Sequence, residues 1–368
     1  MDVQFQNNSL SVSYQNKYFQ LHPVWLRERL PGEEFFDVDT HQRLYEPSSI
    51  DLDLQISSAT LSDHLLNIEF NDGVKGSYNM NDLLLEMDDE KNKRGPLPKR
   101  VLWNSSLSQF PEAKFEEGMA EKKSMYDLLI NFYKYGFVII KNVPTENKYL
   151  LKFANSIGPV KNTNFGEYFD VMSKPNPNDL AYKPIALPPH TDNPYRKPTA
   201  PGIQFLHCLQ NEVSGGFSTL VDGFAVAEHI KTRDPEAFQS LTTTNLRYQF
   251  QDKDIVLENW GELIELDDDG DYKQVRYSTR VDYVPPLDTE KLNTFYRSRK
   301  LLSELYSASD FELKFKLQPG DIMMFDNHRL LHGRTAYDSN EGMRHLQGCY
   351  LEFDATDGKL RHLARKFQ

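Results

Sequence analysis

Apolar and polar positions alternate with a period of two near the start of the chain, and residues 9 to about 86 read as short strands. Leu65-Leu66-Asn67-Ile68-Glu69-Phe70 alternates, Asn71-Asp72-Gly73 supplies a hairpin turn, and the chain resumes at Gly76-Ser77-Tyr78. Asn81 to Met87 predicts a short capped helix. From Asp88 to about Pro111 the chain is charged and rich in Pro and Lys, as a linker would be. The pattern turns helical over Ser124 to Tyr135, stops at Gly136, and continues as the apolar strand Phe137 to Ile140. A second helix covers about Lys148 to Ile157 and ends at Gly158-Pro159. Beyond Gly202 strands dominate: Ile203 to Leu209, Ser218 to Val221, Asp254 to Leu257, Leu263 to Leu266, and Lys273 to Tyr277. Phe311 to Phe315, Asp321 to Phe325 and His345 to Phe353 complete the set, with helical patterns at about Phe224 to Thr232 and Asp288 to Tyr306. The expected fold is mainly β with flanking helices, a double-sheet jelly roll. Three segments are expected: a small N-terminal β-rich domain over 1–90, a linker over 91–112, and the jelly roll over 113–368.

Composition narrows the function. A chain of 368 residues exceeds the usual single domain, which fits one large domain and one small. Its net charge of −12 argues against a nucleic acid or an anionic membrane as partner, because phosphate surfaces call for a basic patch. Cys208 and Cys349 are the two cysteines, too few for a disulfide framework or a Cys-rich zinc site. A reducing cytoplasm suits them. Met1 to Asn8 has neither a basic nor an apolar leader region, and no apolar run approaches the ~20 residues that span a bilayer.

The chemistry centres on Leu187-Pro188-Pro189-His190-Thr191-Asp192-Asn193-Pro194-Tyr195. On an extended segment, His190 and Asp192 leave the same face. An imidazole and a carboxylate side by side are two parts of the 2-His-1-carboxylate triad that holds non-haem Fe(II) with open coordination positions. Among ten histidines one H-x-D pair is expected by chance, so the motif needs a distant partner. Phe325-Asp326-Asn327-His328-Arg329-Leu330-Leu331-His332-Gly333-Arg334 supplies it, with His332 140 positions beyond Asp192 and Arg344 twelve beyond His332. A guanidinium fork suits the far carboxylate of an acidic co-substrate. Zn²⁺ in a hydrolase could use the same three ligands. In the N-terminal segment His22, His41 and His64 have no cysteine nearby and read as surface residues.

The chain resembles the γ-butyrobetaine dioxygenase family of Fe(II)/2-oxoglutarate oxygenases, which includes trimethyllysine and trimethylaminoethylphosphonate hydroxylases. The resemblance runs over nearly the whole chain. It is carried by Trp25-Leu26-Arg27, Thr163-Asn164-Phe165-Gly166, His190-Thr191-Asp192, Gln204-Phe205-Leu206-His207-Cys208 and Gly215-Gly216. Further on it includes Val221-Asp222-Gly223-Phe224, the His332 motif, and Arg344-His345-Leu346-Gln347-Gly348-Cys349-Tyr350. One departure is plain. Several relatives bind a structural zinc through cysteines after the Trp-Leu-Arg, where this chain has Leu30-Pro31-Gly32-Glu33-Glu34. An N-terminal domain of the same shape without zinc is therefore expected.

The resemblance implies Fe(II) held by His190, Asp192 and His332, with 2-oxoglutarate and O₂ as co-substrates and succinate and CO₂ as products. It places Arg344, Thr219 and the backbone N–H of Leu206 around 2-oxoglutarate, and it implies a homodimer. From the residues alone Phe165, Phe169, Tyr182 and Tyr350 could be core aromatics. The resemblance makes them a cage for a trimethylammonium group, which cannot donate a hydrogen bond and is recognised by π-faces. Asp179 is either a counter-charge or a solvated loop carboxylate.

The partner expected is thus a small quaternary ammonium molecule, and its acidic end separates the family members. Asn193 and Tyr195 follow the metal Asp, and Arg280 sits in Arg276-Tyr277-Ser278-Thr279-Arg280 where γ-butyrobetaine enzymes tend to carry Asn-rich segments. A phosphonate, with up to two charges and three acceptor oxygens, suits Arg better than a carboxylate does. Arg196 could equally be exposed, and Arg280 could pair with Asp282. The expected reaction is hydroxylation of 2-trimethylaminoethylphosphonate to the 1-hydroxy product. The alternatives are γ-butyrobetaine hydroxylation to carnitine and, remotely, a non-catalytic zwitterion-binding protein.

Overall fold

The computed structural model describes residues 1–88, 94–172 and 183–367. It divides into two compact units, Met1–Gly95 and Pro96–Gln368. The first contains two antiparallel three-stranded sheets. One is β1 (Asp2–Gln6), β2 (Ser9–Tyr14) and β3 (Lys17–Leu21); the other is β4 (Ile56–Ser62), β5 (Leu65–Phe70) and β6 (Lys75–Asn79). Alternation decides what goes inside: Leu66, Ile68 and Phe70 of β5 are buried with Leu10, Val12 and Ile56. The Asn71–Gly73 turn forms as expected, with Gly73 at φ 85° and Asp72 accepting from the Val74 N–H. The unit also carries α1 (Pro23–Arg27) and α2 (Met80–Met87). His22 has a structural task, its Nδ1 accepting from the Val24 N–H at the start of α1, while His41 and His64 are exposed.

The larger unit opens with a surprise. Part of the stretch expected as a linker is packed: Trp103 is 5% exposed, its backbone N–H donates to Asp222 and its indole to the Tyr135 carbonyl. There follow β7 (Glu112–Lys114), α3 (Lys123–Tyr135), β8 (Phe137–Lys141), α4 (Tyr149–Ile157), β9 (Phe169–Val171) and β10 (Leu187–His190). Next come β11 (Ile203–Asn211), β12 (Ser218–Asp222), α5 (Gly223–Arg233) and α6 (Pro235–Thr243). A run of short strands follows: β13 (Leu246–Asp252), β14 (Ile255–Gly261), β15 (Ile264–Leu266), β16 (Tyr272–Val275) and β17 (Asp282–Tyr283). The chain ends with α7 (Thr289–Tyr306), β18 (Glu312–Phe315), β19 (Ile322–Asp326), β20 (Leu330–Arg334), β21 (Arg344–Leu351) and α8 (Phe353–Phe367).

Two sheets make the jelly roll, one in the order β10-β20-β12-β18 and one in the order β7-β8-β19-β11-β21-β9. All their pairings are antiparallel except β7 with β8. Between the sheets lie Leu206, Leu220, Phe325, Leu330 and Leu346. The residues of opposite parity pack outward: Ile203, Phe205 and Met324 join α3, α4 and α8, while Val221 and Leu331 join α5 and α7. Burial on both faces explains why Phe137–Ile140 and Ile322–Phe325 read as continuous apolar runs.

A charged pair locks the roll beside the site. Arg329 and Asp222 are 1% and 0% exposed, joined by bonds of 3.1 Å and 2.6 Å, and Arg329 also donates to the carbonyls of Lys134 and Val101. Asp222 in turn accepts from the N–H groups of Phe224 and Ala225, capping α5. Every donor in this node has a partner, as a buried ion pair requires.

Two expectations about the chain are corrected. The last strand ends at Leu351, and Phe353 begins a helix whose buried Thr356, Leu360, Leu363 and Ala364 follow a 3.6-residue period. Second, α6 and β13 occupy a region where no element was expected. Among the described residues, no helix is long and apolar enough to cross a membrane.

Candidate active site

Register brings the two histidines together. His190, the last residue of β10, pairs directly with His332 of β20, and their rings lie 4.3 Å apart. β10 is an edge strand, which is where its Pro188 and Pro189 are tolerated. Past His190 the chain leaves the sheet, held by the Thr191 N–H to the Tyr277 carbonyl and the Tyr277 N–H to the Thr191 hydroxyl. Asn327 fixes the next step: its Oδ1 accepts from the Asp192 N–H at 2.8 Å, and its Nδ2 donates to the carbonyls of Asp192 and Pro201. Asp192 Oδ1 then lies 3.5 Å from His190 Nε2 and 3.8 Å from His332 Nε2. All three ligand atoms fall within 4.8 Å of one another, so one ion can touch them all.

The protonation states suit a cation. His190 Nδ1 donates to the Pro188 carbonyl at 2.9 Å, which leaves Nε2 free to ligate. Burial, with His190 alongside, pushes the His332 imidazole down to about 3, so it is neutral at physiological pH. For Asp192, burial works against the charge, but His332, His190 and the Tyr350 hydroxyl outweigh it and hold the carboxyl well below its usual range. Tyr350 donates to Asp192 Oδ2 at 2.7 Å, and burial together with that carboxylate keeps its phenol protonated. Two imidazoles and a carboxylate with the remaining positions open form the donor set of a non-haem iron site.

Arg344 opens β21 and is 5% exposed. Its Nε and Nη2 donate to the Gly216 carbonyl at 3.3 and 3.2 Å, whereas its buried Nη1 has no partner among the described residues. Gly216 (φ 65°) allows this approach, since a Cβ there would lie 2.7 Å from Arg344 Nε. An orphaned guanidinium N–H in the interior matches a carboxylate acceptor such as the far end of 2-oxoglutarate. Thr219 is buried and pairs with Gly333, the neighbour of His332. Leu206 sits in mid-β11 between β19 and β21, so its N–H faces a strand neighbour and its side chain, among Cys208, Leu220 and Leu346, is what meets the interior. A separate cleft of about 790 Å³, lined by Trp103, Tyr135, His229 and Phe311 among others, contains none of these groups.

The aromatic candidates fall into two groups. Phe169 lies over β21 with its ring 5.2 Å from Tyr350, a position open only because residue 348 is glycine: a Cβ there would be 2.4 Å from the Phe169 ring. Phe165 belongs elsewhere, edge-on to Phe250 at 5.7 Å, with the Arg196 guanidinium 5.7 Å from its centroid. Tyr195 is 5% exposed and donates to Asn193 Oδ1; Asn193 adopts φ 55° directly after Asp192, and its buried Nδ2 has no hydrogen-bond partner among the described residues. Arg280 is exposed, yet its charge helps to depress His332. The neighbouring Asp282 is held by Arg299. Asp179 and Tyr182 lie outside the described residues. Asn327, Phe250 and the hydroxyl of Tyr350 were not singled out for these contacts; Asn327 lies inside the His332 motif, and Leu246-Arg247-Tyr248-Gln249-Phe250 shows strand alternation.

Residues 105–350 match the model of the taurine catabolism dioxygenase TauD, TfdA family. The chain belongs to that family. It is 30% identical over 349 residues to the γ-butyrobetaine dioxygenase of Pseudomonas sp. (strain AK-1), covering 94% of this chain and 90% of that protein. To the mitochondrial trimethyllysine dioxygenase of Bos taurus it is 29% identical over 367 residues, 95% of this chain and 84% of that one. In fold it resembles the crystal structure of AAD-2 in complex with Mn(II) and N-oxalylglycine, with a TM-score of 0.52 at 12% identity over 69% of this chain and 97% of that one. This TauD-family chain is a dioxygenase dependent on Fe(II) and 2-oxoglutarate, and the zinc hydrolase alternative falls away.

Proposed function

We propose that the chain hydroxylates an unactivated carbon of a small trimethylammonium zwitterion, with 2-trimethylaminoethylphosphonate as its preferred substrate. The observation that carries the substrate class is the Phe169–Tyr350 pair, anchored to the iron site through the Tyr350 hydroxyl on Asp192. A cation over such faces gains roughly 2 kcal/mol when desolvated, and aromatic rings recognise it without needing a donor. The relatives named for γ-butyrobetaine and trimethyllysine support the same class.

His190, Asp192 and His332 hold the iron, and Arg344 takes the distal carboxylate of 2-oxoglutarate on its orphaned Nη1. Iron and co-substrate supply the oxidising power: O₂ delivers one oxygen to the substrate carbon and one to 2-oxoglutarate, which leaves as succinate and CO₂. The chain's own part is positioning and exclusion of water. Asn193 Nδ2 offers a hydrogen bond to the substrate's acidic end, and Arg280 adds the charge that favours a phosphonate. Ammonium and acid are then gripped at two points, and the span between them selects the carbon presented to iron.

The test is kcat/KM measured on γ-butyrobetaine, trimethyllysine and 2-trimethylaminoethylphosphonate. The phosphonate should be preferred, and Arg280→Ala should reduce its kcat/KM by about thirtyfold or more, equivalent to about 2 kcal/mol for a desolvated charge-assisted bond. A second reading, γ-butyrobetaine hydroxylation, is favoured by the 30% identity with the Pseudomonas enzyme. It prevails if γ-butyrobetaine is turned over best and Arg280→Ala is neutral.

A further inference from the structure

The loop after Asp192 has no sheet of its own, yet it carries Asn193, Tyr195 and Arg196. Its polar backbone must find partners elsewhere. Much of what holds it comes from the hairpin of β13 and β14, which lies outside the two jelly-roll sheets. In that hairpin Tyr248 pairs with Asn259 and Phe250 with Leu257, so Phe250 and Asn259 share one face. Asn259 is 8% exposed, and its Nδ2 donates to the Arg196 carbonyl at 2.8 Å and the Pro194 carbonyl at 3.5 Å. Phe250 stacks on Tyr195 with centroids 4.9 Å apart and ring planes 19° apart. It also meets Phe165 edge-on at 5.7 Å. Tyr195 passes the constraint to Asn193 through its hydroxyl, and Asn193 adjoins the iron ligand Asp192.

We propose that Phe250 and Asn259 are positioning residues for substrate selection: together they clamp the 193–196 loop and so set where Asn193 and Tyr195 meet the substrate. The assignment rests on the substrate-side reading above, but it concerns residues that touch neither metal nor co-substrate. Removing the Phe250 ring uncovers one face of Tyr195 and frees its hydroxyl to leave Asn193. Removing the Asn259 amide releases two carbonyls of the loop. His332, Arg344 and Tyr350 ride on β20 and β21, so 2-oxoglutarate binding is insulated from both changes.

The experiment is steady-state kinetics of the iron-loaded enzyme with γ-butyrobetaine and 2-trimethylaminoethylphosphonate, for wild type, Phe250→Leu, Phe250→Tyr and Asn259→Ala. Phe250→Leu and Asn259→Ala should raise the KM of the ammonium substrate about tenfold, leave the co-substrate KM within about twofold, and raise succinate formed per hydroxylated product. Phe250→Tyr, which keeps the stacked ring, should restore wild-type values. Amide hydrogen exchange of the substrate-free protein reads the clamp without reference to any substrate: residues 191–199 should exchange faster in Asn259→Ala, with 344–351 unchanged. Unchanged exchange of 191–199 overturns the proposal, and so does a parallel rise in both KM values, the mark of general damage. If wild type hydroxylates neither compound, the function proposed above falls, while the exchange result still decides the clamp.

Discussion

His190, His332 and Arg344 of the iron and co-substrate half sit on strands, whereas the residues proposed for the substrate's acidic end sit on loops braced by a hairpin outside the jelly roll. His190, His332 and Arg344 occupy ladder positions of β10, β20 and β21, where register fixes each against a neighbour. Asn193, Tyr195 and Arg196 lie on a loop held by side chains, and Arg280 lies in the connection between β16 and β17. Sheet register tolerates no drift, because a slip of one residue would turn His332 away from His190. Loop residues can change one at a time. On the proposed assignment, chemistry common to the dioxygenases is carried by the scaffold, while discrimination at the substrate's acidic end falls to loop residues that can change one at a time.

The largest effect should come from the strand half. His190→Ala, Asp192→Ala or His332→Ala each removes one of three ligands and should abolish hydroxylation and substrate-dependent succinate release. Metal analysis after chelation and reconstitution should give about one iron per chain in wild type and no retained zinc, since the N-terminal unit has no cysteine. Near-wild-type turnover in any of the three variants would break the assignment of that half.

A smaller effect tests where the halves meet. Tyr350 donates to Asp192 with its hydroxyl and faces Phe169 with its ring. Tyr350→Phe keeps the ring and deletes the bond, so the iron affinity should fall about tenfold, the usual cost of losing a partner of a metal ligand, while substrate KM stays unchanged. An iron titration beside substrate kinetics separates the two. Should KM rise with no change in iron affinity, the hydroxyl belongs to the substrate half instead.

The same division governs what could be read from the sequence. His190-Thr191-Asp192 and His332 are legible because ligand chemistry restricts residue type, and Ile203 to Leu209 is legible because a strand buried on both faces is apolar throughout. The hairpin of β13 and β14 was half seen: Asp254 to Leu257 reads as a strand, but Leu246, Tyr248 and Phe250 alternate with polar residues and went unread. Helix α6 carried its own signal, an Asp234 cap, Pro235 at the first position and Glu236 in the first turn. Asn327 was illegible in principle. Its three bonds reach Asp192 and Pro201, residues far away in sequence, and no local pattern encodes such contacts. Phe165 is a similar case: the resemblance suggests a cage residue, and only the fold shows Phe250 and Arg196 beside it.

The smallest effect probes how firmly the strand half is sealed. His207 lies in mid-β11, opposite Ile322 of β19 and Gln347 of β21, and is 0% exposed. Neither ring nitrogen has a hydrogen-bond partner among the described residues, and burial pushes its imidazole down to about 4 against the opposing pull of Asp321. In the unfolded chain the same group titrates near 6.5. Between these values the unfolded state therefore holds a proton that the folded state refuses. Stability is unaffected above about pH 6.5 and is lost as the pH falls through the window toward 4, by up to about 1.4 kcal/mol per pH unit. His207→Leu cannot take up that proton, so its loss of stability from pH 7 to pH 5 should be smaller than that of wild type by about 2 kcal/mol. Urea unfolding of the two proteins at both pH values measures the difference, and the contributions of all other titrating groups cancel between them. Equal losses would mean that water or a rearranged side chain reaches His207, and that the sheet carrying Arg344 is looser than its burial implies.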